Sequence, residues 1–501
     1  MKRSIVSMWL TLSLSALLAA CGAASGQADG GSGSDGDGGP GEGADHKTTP
    51  VLTGLRLSPE SLALQVGQTE TITVWATWDE SLEQILFEPV EWRVEPQGAV
   101  EIDDRTLLAL APGQASLRAE YGGLVSNAVE VAVEPAGPQE ARGVWVTRWN
   151  YSSAADVASV IDRLASGGFN QIYFQIRGTA DAYYDSAVEP WAERLSGQLG
   201  RDPGWDPLQT AIEEAHAAGI ELHAWMNTYP AWSCAAGLPA SEGVPHPLEL
   251  HPEWVAADSN GTSMLGHCGD GYVFFSPGVP EVRAHVVAVV EDLAGRYAID
   301  GVHLDYLRYP GIGYSHDATS EARYAEALAE RPGLSWADWQ REQVHALVAD
   351  VYAAMRAQRP AAVLSAAIWF IHENVWGWSA VSQGYAEYYQ DARAWTAAGD
   401  IDALVPMIYF PLTDPPGERL DFAAMLADHV DHNPDRFVYA GIHGDYDTFD
   451  EIAAEVEATR QLGGKGFVIF AYTYLESHAY WDDFAAGPCA EQAGVPFMPW
   501  R

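Results

Sequence analysis

The segment DGVHLDYLRYP, residues 300–310, reads as a short apolar strand ending on Asp305, followed by an aromatic ring, Arg308 and a proline stop. A carboxylate at a strand end, beside rings and a guanidinium, suits proton transfer or nucleophilic work on a polar substrate. Glycoside hydrolysis fits this best, and it needs two carboxyl groups across the broken bond, one protonated and one ionised. Asp305 is the first candidate. Glu373, Asp181 and Asp445 are each open as its partner. The competing reading makes Asp305 a supporting residue paired with Arg308 or Arg177, and makes Glu373 and Asp181 loop caps.

Other polar and aromatic residues gather at comparable positions. Gln175 and Arg177 end one strand-like run; His223, Trp225 and Asn227 end another. His303 alternates with Asp305 and faces the same way. Trp369, Tyr409, Asp445 and Tyr472 close later runs. As a group they describe a pocket for a polar ligand. Singly, each has a plainer reading: His223 as a satisfied interior histidine, any one tryptophan as packing. A metal at His303 is a minor alternative. No HExxH, Cys-x-x-Cys, GxSxG or nucleotide-binding glycine motif occurs, so no metal or cofactor is expected.

These positions require a scaffold that presents strand ends together. From residue 140 onward, strand-like runs alternate with helical ones. Strands are expected at 142–148, 171–177, 221–227, 301–305, 363–370, 403–410, 437–443 and 466–472. Helices are expected at 155–166, 208–218, 280–297, 336–359, 385–398 and 449–462. Eight strand–helix units imply an α/β fold, a (β/α)8 TIM barrel, whose site forms at the C-terminal strand ends. Residues 51–135 alternate with period two and carry turn signals at regular spacing. They imply an all-β Ig-like sandwich with Trp92 in its core.

The stretches ARGVWVTRWNY, FNQIYFQIRGTADAYYDSAVEPW, LSGQLGRDPGWDPLQTAIEEAHAAGIELHAWMNTY and DGVHLDYLRYP resemble the glycosyl-hydrolase-like family 10 barrels over residues 139–480. The opening LRLSP, the Gly67 turn and APGQASLRA resemble bacterial Ig-like domains of group 2. The barrel resemblance implies hydrolysis of β-1,4 bonds in peptidoglycan glycan strands. It places the family's RGVW, Q-x-R plus Asp, HAW-x-N and H-x-D motifs on Arg142, Gln175, Arg177, Asp181, His223, Asn227, His303 and Asp305. Many members carry a second aspartate after the fourth strand; here that position is Tyr306. A non-catalytic wall-binding barrel is the alternative this departure motivates. The family 18 chitinase signature is similar in outline, but Leu307 stands where its acid would fall.

Lys2 and Arg3, the apolar run 5–20 and Leu18-Ala19-Ala20-Cys21 resemble a lipoprotein signal with Cys21 as the lipidated residue. Residues 1–20 would be the signal, 21–48 a Gly/Ser/Asp-rich tether and 481–501 a C-terminal tail. A cell-envelope location follows, with a lipid anchor in the outer membrane. There are 69 acidic against 27 basic residues, a net charge of −42. This argues against a nucleic-acid partner and is indifferent to a glycan polymer. Cys234 and Cys268 are expected to form a disulfide, leaving Cys489.

Overall fold

The computed structural model describes residues 51–79, 82–134, 136–234, 237–267, 271–412, 420–498 and 500. Cys21, the signal and the tether lie outside the described residues.

Residues 52–134 carry strands only. Leu52–Ser58, Thr73–Trp78 and Leu82–Ile85 make one antiparallel sheet. Gly113–Tyr121 pairs with Glu91–Glu95 and Val129–Glu134 in a second, and Ser61–Gln65 joins its edge in parallel. The period-two reading holds in detail. Ala115, Leu117 and Ala119 on one strand and Val129, Val131 and Val133 on its neighbour all point into a core of their own. Trp92 packs against that core. The arrangement is compatible with an Ig-like sandwich.

Eight further strands close a barrel: β1 (Ala141–Val146), β2 (Gln171–Arg177), β3 (Glu221–Asn227), β4 (Gly301–Asp305), β5 (Val363–Ile368), β6 (Ala403–Ile408), β7 (Phe437–His443) and β8 (Gly466–Phe470). Every pairing is parallel, and β8 closes onto β1 through Ala141 and Gly466. Every residue of β1, β2 and β5 is buried. Such near-continuous burial is what helices outside and packed side chains inside impose on a parallel sheet. The helices follow their caps. Ser153 accepts from the Asp156 N–H to open α1 (Ala154–Ser166), whose Val157, Val160, Ile161 and Leu164 form the inward stripe. Asp206 opens α2 (Pro207–Ala217), while Pro280 begins α3 (Pro280–Arg296) and Ser335 caps α4 (Trp336–Gln358).

Three expectations needed revision. The helix expected over 385–398 is two pieces, Gly384–Glu387 and α5 (Ala392–Ala398). Tyr389 takes a left-handed φ of 54°, and Asp391 then caps a new helix by accepting from the Ala394 N–H. The helix at Ala318–Glu330 was not anticipated, because it buries only Ser320 and so has no apolar stripe, while α6 (Phe422–Asp431) completes the sixth strand–helix unit. Residues 481–498, expected as a tail, instead pack on the barrel. Trp481 and Phe484 are buried beside Phe169, and Met498 joins Tyr173, Phe437 and Tyr439 at the barrel floor.

Cys234 is disulfide-bonded; Cys268 lies outside the described residues, and Cys489 is a buried free thiol. Among the described residues no helix is long and apolar enough to cross a membrane.

Candidate active site

The C-terminal ends of the strands enclose a cavity of about 240 Å³ lined by Trp145, Trp225, Asp305, Tyr306, Arg308, Ala367, Trp369, Met407, Tyr409 and Phe470. Asp305 is the one carboxylate among these residues. Trp225 Nε1 donates to its Oδ2 at 3.2 Å, and the Tyr306 N–H donates to its Oδ1 at 2.6 Å. Tyr306 can do this because its φ is +49°. A left-handed turn at a bulky residue is strained, and here it folds the amide back onto the carboxylate.

Asp305 is half-buried at the cavity, among the rings of Trp225 and Tyr306, and desolvation dominates its titration. Burial raises its pKa above the usual aspartate value; the Tyr306 amide, the Arg308 charge and the Trp225 indole oppose this in turn. The proton is therefore held to a higher pH than on a free aspartate. Arg308 lies near enough to act on Asp305 electrostatically, yet it is held by ring faces. Its Cζ is 5.0 Å from Tyr306, 5.2 Å from Trp369 and 4.7 Å from Tyr388. Tyr409 stays protonated, its pKa pushed well up by burial and by Asp305.

One layer down, Trp145 Nε1 donates to His303 Nε2 at 3.0 Å, and His303 Nδ1 bonds Ser365 Oγ at 2.9 Å. Burial and the neighbouring His223 hold His303 neutral. Both nitrogens of His303 are thus occupied in fixing the ring that floors the cavity. A strand advances about 6.6 Å in two residues, which is why His303 faces inward with Asp305 yet sits beneath the cavity.

Of the residues singled out from sequence, Asp305, Trp225, Arg308, Trp369 and Tyr409 meet at this cavity. The others do not. Arg142 is the second residue of β1, at the opposite end of the barrel, and pairs with Glu140 at 2.7 Å. Arg177 is fully buried and forks onto Glu189, with both contacts at 2.7 Å. The register shifts between Gln175 and Arg177, and this bulge turns the guanidinium outward towards Glu189, which also binds His285 of α3. Neither Arg177 nor Arg308 forms an ion pair with Asp305, so the supporting-pair reading of Asp305 fails in that form.

His223 is a fully buried interior ring stacked on Tyr173 at 4.9 Å. Gly301 makes room for it, since a Cβ there would lie 2.3 Å from His223 Nδ1. Gln175 and Asn227 bond one another at 3.1 Å, and Asn227 holds the Gly178 carbonyl at 3.0 Å; both are buried supports. Asp181 accepts from the Thr179 N–H at 2.7 Å, the loop-capping role, and lines a neighbouring cleft. Glu373 is exposed on the loop after β5 and does not line the cavity. Asp445 is exposed and bonds His478 at 2.9 Å. Tyr472 opens α8 (Tyr472–His478) and packs on Trp481 at 5.5 Å, so Phe470 takes its place. Asp414, which follows β6, lies outside the described residues.

Sequence reasoning placed Met407 with Tyr409 at the end of the sixth strand, and missed Trp145 and Phe470 as lining residues and Tyr388 as a seat for Arg308. The inward parity of β1 could have supplied Trp145, which precedes the strand's last residue. Among the described residues no cluster of three or more His, Cys, Asp or Glu side chains is placed to hold a metal ion.

A closed parallel barrel with a desolvated carboxyl in an aromatic cavity at its C-terminal mouth defines a glycoside-hydrolase-like (β/α)8 protein. The chain belongs to the family described as Glycosyl hydrolase-like 10, whose model matches residues 140–445. It is similar to glycosyl hydrolase YngK of Bacillus subtilis (strain 168), 29% identical over 72% of this chain and 74% of that protein. It is also similar to glycosyl hydrolase DigH of Escherichia coli (strain K12), 29% identical over 50% of this chain and 57% of that one. The PgaB (BpsB) glycoside hydrolase domain of Bordetella bronchiseptica shares the fold, with a TM-score of 0.52 at 15% identity over 69% of this chain and 98% of that one.

Proposed function

We propose that this protein is a glycosidase of the cell envelope that cleaves β-1,4 bonds in the glycan strands of peptidoglycan, with Asp305 as proton donor. The observation that carries this is the Asp305 carboxyl, the one carboxylate among the residues lining the cavity, whose pKa burial raises above that of a free aspartate. The proton passes to the glycosidic oxygen as the bond to the anomeric carbon breaks. The resulting aspartate is stabilised by the Tyr306 amide, the Trp225 indole and the Arg308 charge, the groups that already favour its ionised form. Ring faces of Trp145, Trp369 and Tyr409 stabilise the oxocarbenium-like centre. Water adds to the anomeric carbon and releases a proton to solvent as Asp305 is reprotonated; among the described residues lining the cavity no second carboxyl stands ready to take that proton. The choice of peptidoglycan, and of a lipid anchor at Cys21, follows the sequence resemblances above.

The test is a substrate panel: peptide-free peptidoglycan strands, chitin and other β-glucans, scored by new reducing ends. Shortening of the peptidoglycan strands alone is the expected result. Cleavage of chitin or a β-glucan in preference would replace the substrate. Binding without cleavage of any polymer would replace the activity with the wall-binding alternative.

A further inference from the structure

A second cleft, of about 760 Å³, adjoins the Asp305 cavity. Its wall includes Tyr272, whose ring meets Tyr306 of the cavity edge-on at 5.8 Å. Arg148 and Arg194 line it, and both guanidiniums lie 4.9 Å from the ring centre of Trp149, which is 59% exposed. Arg148 Nη2 donates to the Tyr272 hydroxyl at 3.1 Å. Arg194 Nε donates to the Arg148 carbonyl and its Nη2 to the Trp149 carbonyl, each at 3.1 Å.

Elsewhere in the barrel Arg142, Arg177, Arg393 and Arg460 sit 2.7 Å from carboxylates. The chain has 69 acidic residues for 27 basic ones, so a partner is easily supplied. Among the described residues, however, neither Arg148 nor Arg194 has a carboxylate oxygen within 4.0 Å. Arg308, Arg323 and Arg436 of the barrel also have no ion pair among the described residues, so what marks these two arginines is their setting, side by side over one exposed indole in a cleft. Asp181 lines the same cleft but spends its Oδ1 on the Gly178 and Thr179 amides. Glu193 lines it from an exposed turn. The Trp149 indole and two main-chain carbonyls fix the direction of the Arg194 guanidinium, while the Tyr272 hydroxyl holds Arg148, on which the Asp181 charge also acts. With Nε and Nη2 of Arg194 spent on carbonyls, its Nη1 is the nitrogen left to donate to a ligand carboxylate, from a guanidinium whose direction is already set.

The geometry points to this cleft as a subsite for a carboxylate-bearing sugar ring, one or more residues along the strand from the ring beside Asp305. The inference rests on the glycan-binding reading above and adds the substituent that the site selects. Arg194 is the specificity residue, with Trp149 and Arg148 holding it in place. A glycan whose carboxyl is free would engage it. A glycan with that carboxyl reduced to an alcohol would lose the charge-assisted bonds and keep the ring contacts.

Binding separates this from catalysis. In an Asp305→Asn background, calorimetry would compare peptide-free peptidoglycan fragments, the same fragments with their lactyl carboxyls reduced, and neutral chitooligosaccharides. Native fragments should bind at least about tenfold more tightly than reduced ones, with the preference shrinking as salt rises. Adding Arg194→Gln should bring the ratio close to one and leave affinity for the reduced fragments within about twofold. Arg194→Lys should keep part of the preference, which guards against a misfolded variant. Equal binding of native and reduced fragments, a preference that survives Arg194→Gln, or no binding of any probe would each overturn the subsite. A protein that shows the preference but hydrolyses nothing would retain the subsite and lose the glycosidase reading. One that hydrolyses native and reduced strands equally would do the reverse.

Discussion

Replacing Trp225 by Phe isolates one contact to Asp305. The indole donates to Oδ2 at 3.2 Å, and Phe keeps most of the ring while removing the N–H. A hydrogen bond to a charged group contributes about 1.5–3 kcal/mol, and the long distance places this one near the lower bound. At 1.36 kcal/mol per pKa unit, about 1.5 kcal/mol corresponds to roughly one unit. The sign follows from which form the bond favours. The indole stabilises the ionised carboxylate, so its loss raises a pKa that burial has already raised. If Asp305 acts as the proton donor, activity persists until that proton is lost. The alkaline limb of the pH profile of kcat/KM, which reports the free enzyme, should therefore move up by about one unit. Trp225 is buried, so the smaller ring will also cost about 1–2 kcal/mol of stability. Thermal unfolding therefore has to be followed in parallel. An alkaline limb that stays in place in a folded variant would refute the assignment of that limb to Asp305.

Glu373→Gln should leave kcat/KM within about twofold of the native protein in the same glycan assay, because this side chain is exposed and off the cavity. Arg177→Met should cost about 3–5 kcal/mol in urea unfolding, because it leaves the fully buried Glu189 without its forked partner; the folded fraction should keep its kcat. Glu455, on α7 (Phe449–Gln461), is wholly buried and accepts from the Tyr446 hydroxyl at 2.8 Å. Burial pushes its pKa up to about 9. The folded state then holds a proton that the unfolded chain releases near pH 4.3, so stability falls as pH rises from about 5 through about 9. Glu455→Gln should gain on the native protein by up to about 1.4 kcal/mol per pH unit over that window, read as melting curves at pH 5 and pH 8; a gain independent of pH would count against it.

The scaffold was legible because its signals are physical and local. β2, β3, β4 and β7 have the bounds expected of them, each being an apolar run with a polar end. β1, β5, β6 and β8 stop two residues early, where the chain leaves the ladder to enter the barrel mouth. Position along a barrel was harder to read than position around it. Strand parity put His303 and Asp305 on one face but could not say that His303 lies a layer below the cavity. The β2 bulge, which sends Arg177 outward, leaves no mark in a one-dimensional pattern. Arg142 was carried by motif resemblance to a strand whose start, not its end, it occupies. Strand ends proper performed better: Trp225, Asp305, Trp369 and Tyr409 are there because the ladder stops beside them. The ring faces that seat Arg308 come from its own loop and from two distant points of the β5–α5 connection, and could only be seen in three dimensions.

The central claim is that the Asp305 carboxyl performs the proton transfer. The most direct measurement is release of reducing ends from peptide-free peptidoglycan strands by the native protein and by Asp305→Asn, with circular dichroism and melting curves of both. Asn keeps the side-chain shape and cannot supply the proton, and general acid catalysis contributes about 10²–10⁴-fold. The account predicts a loss of at least a hundredfold in kcat, with the fold and strand binding retained. An Asp305→Asn protein that shortens the strands at the native rate would contradict it.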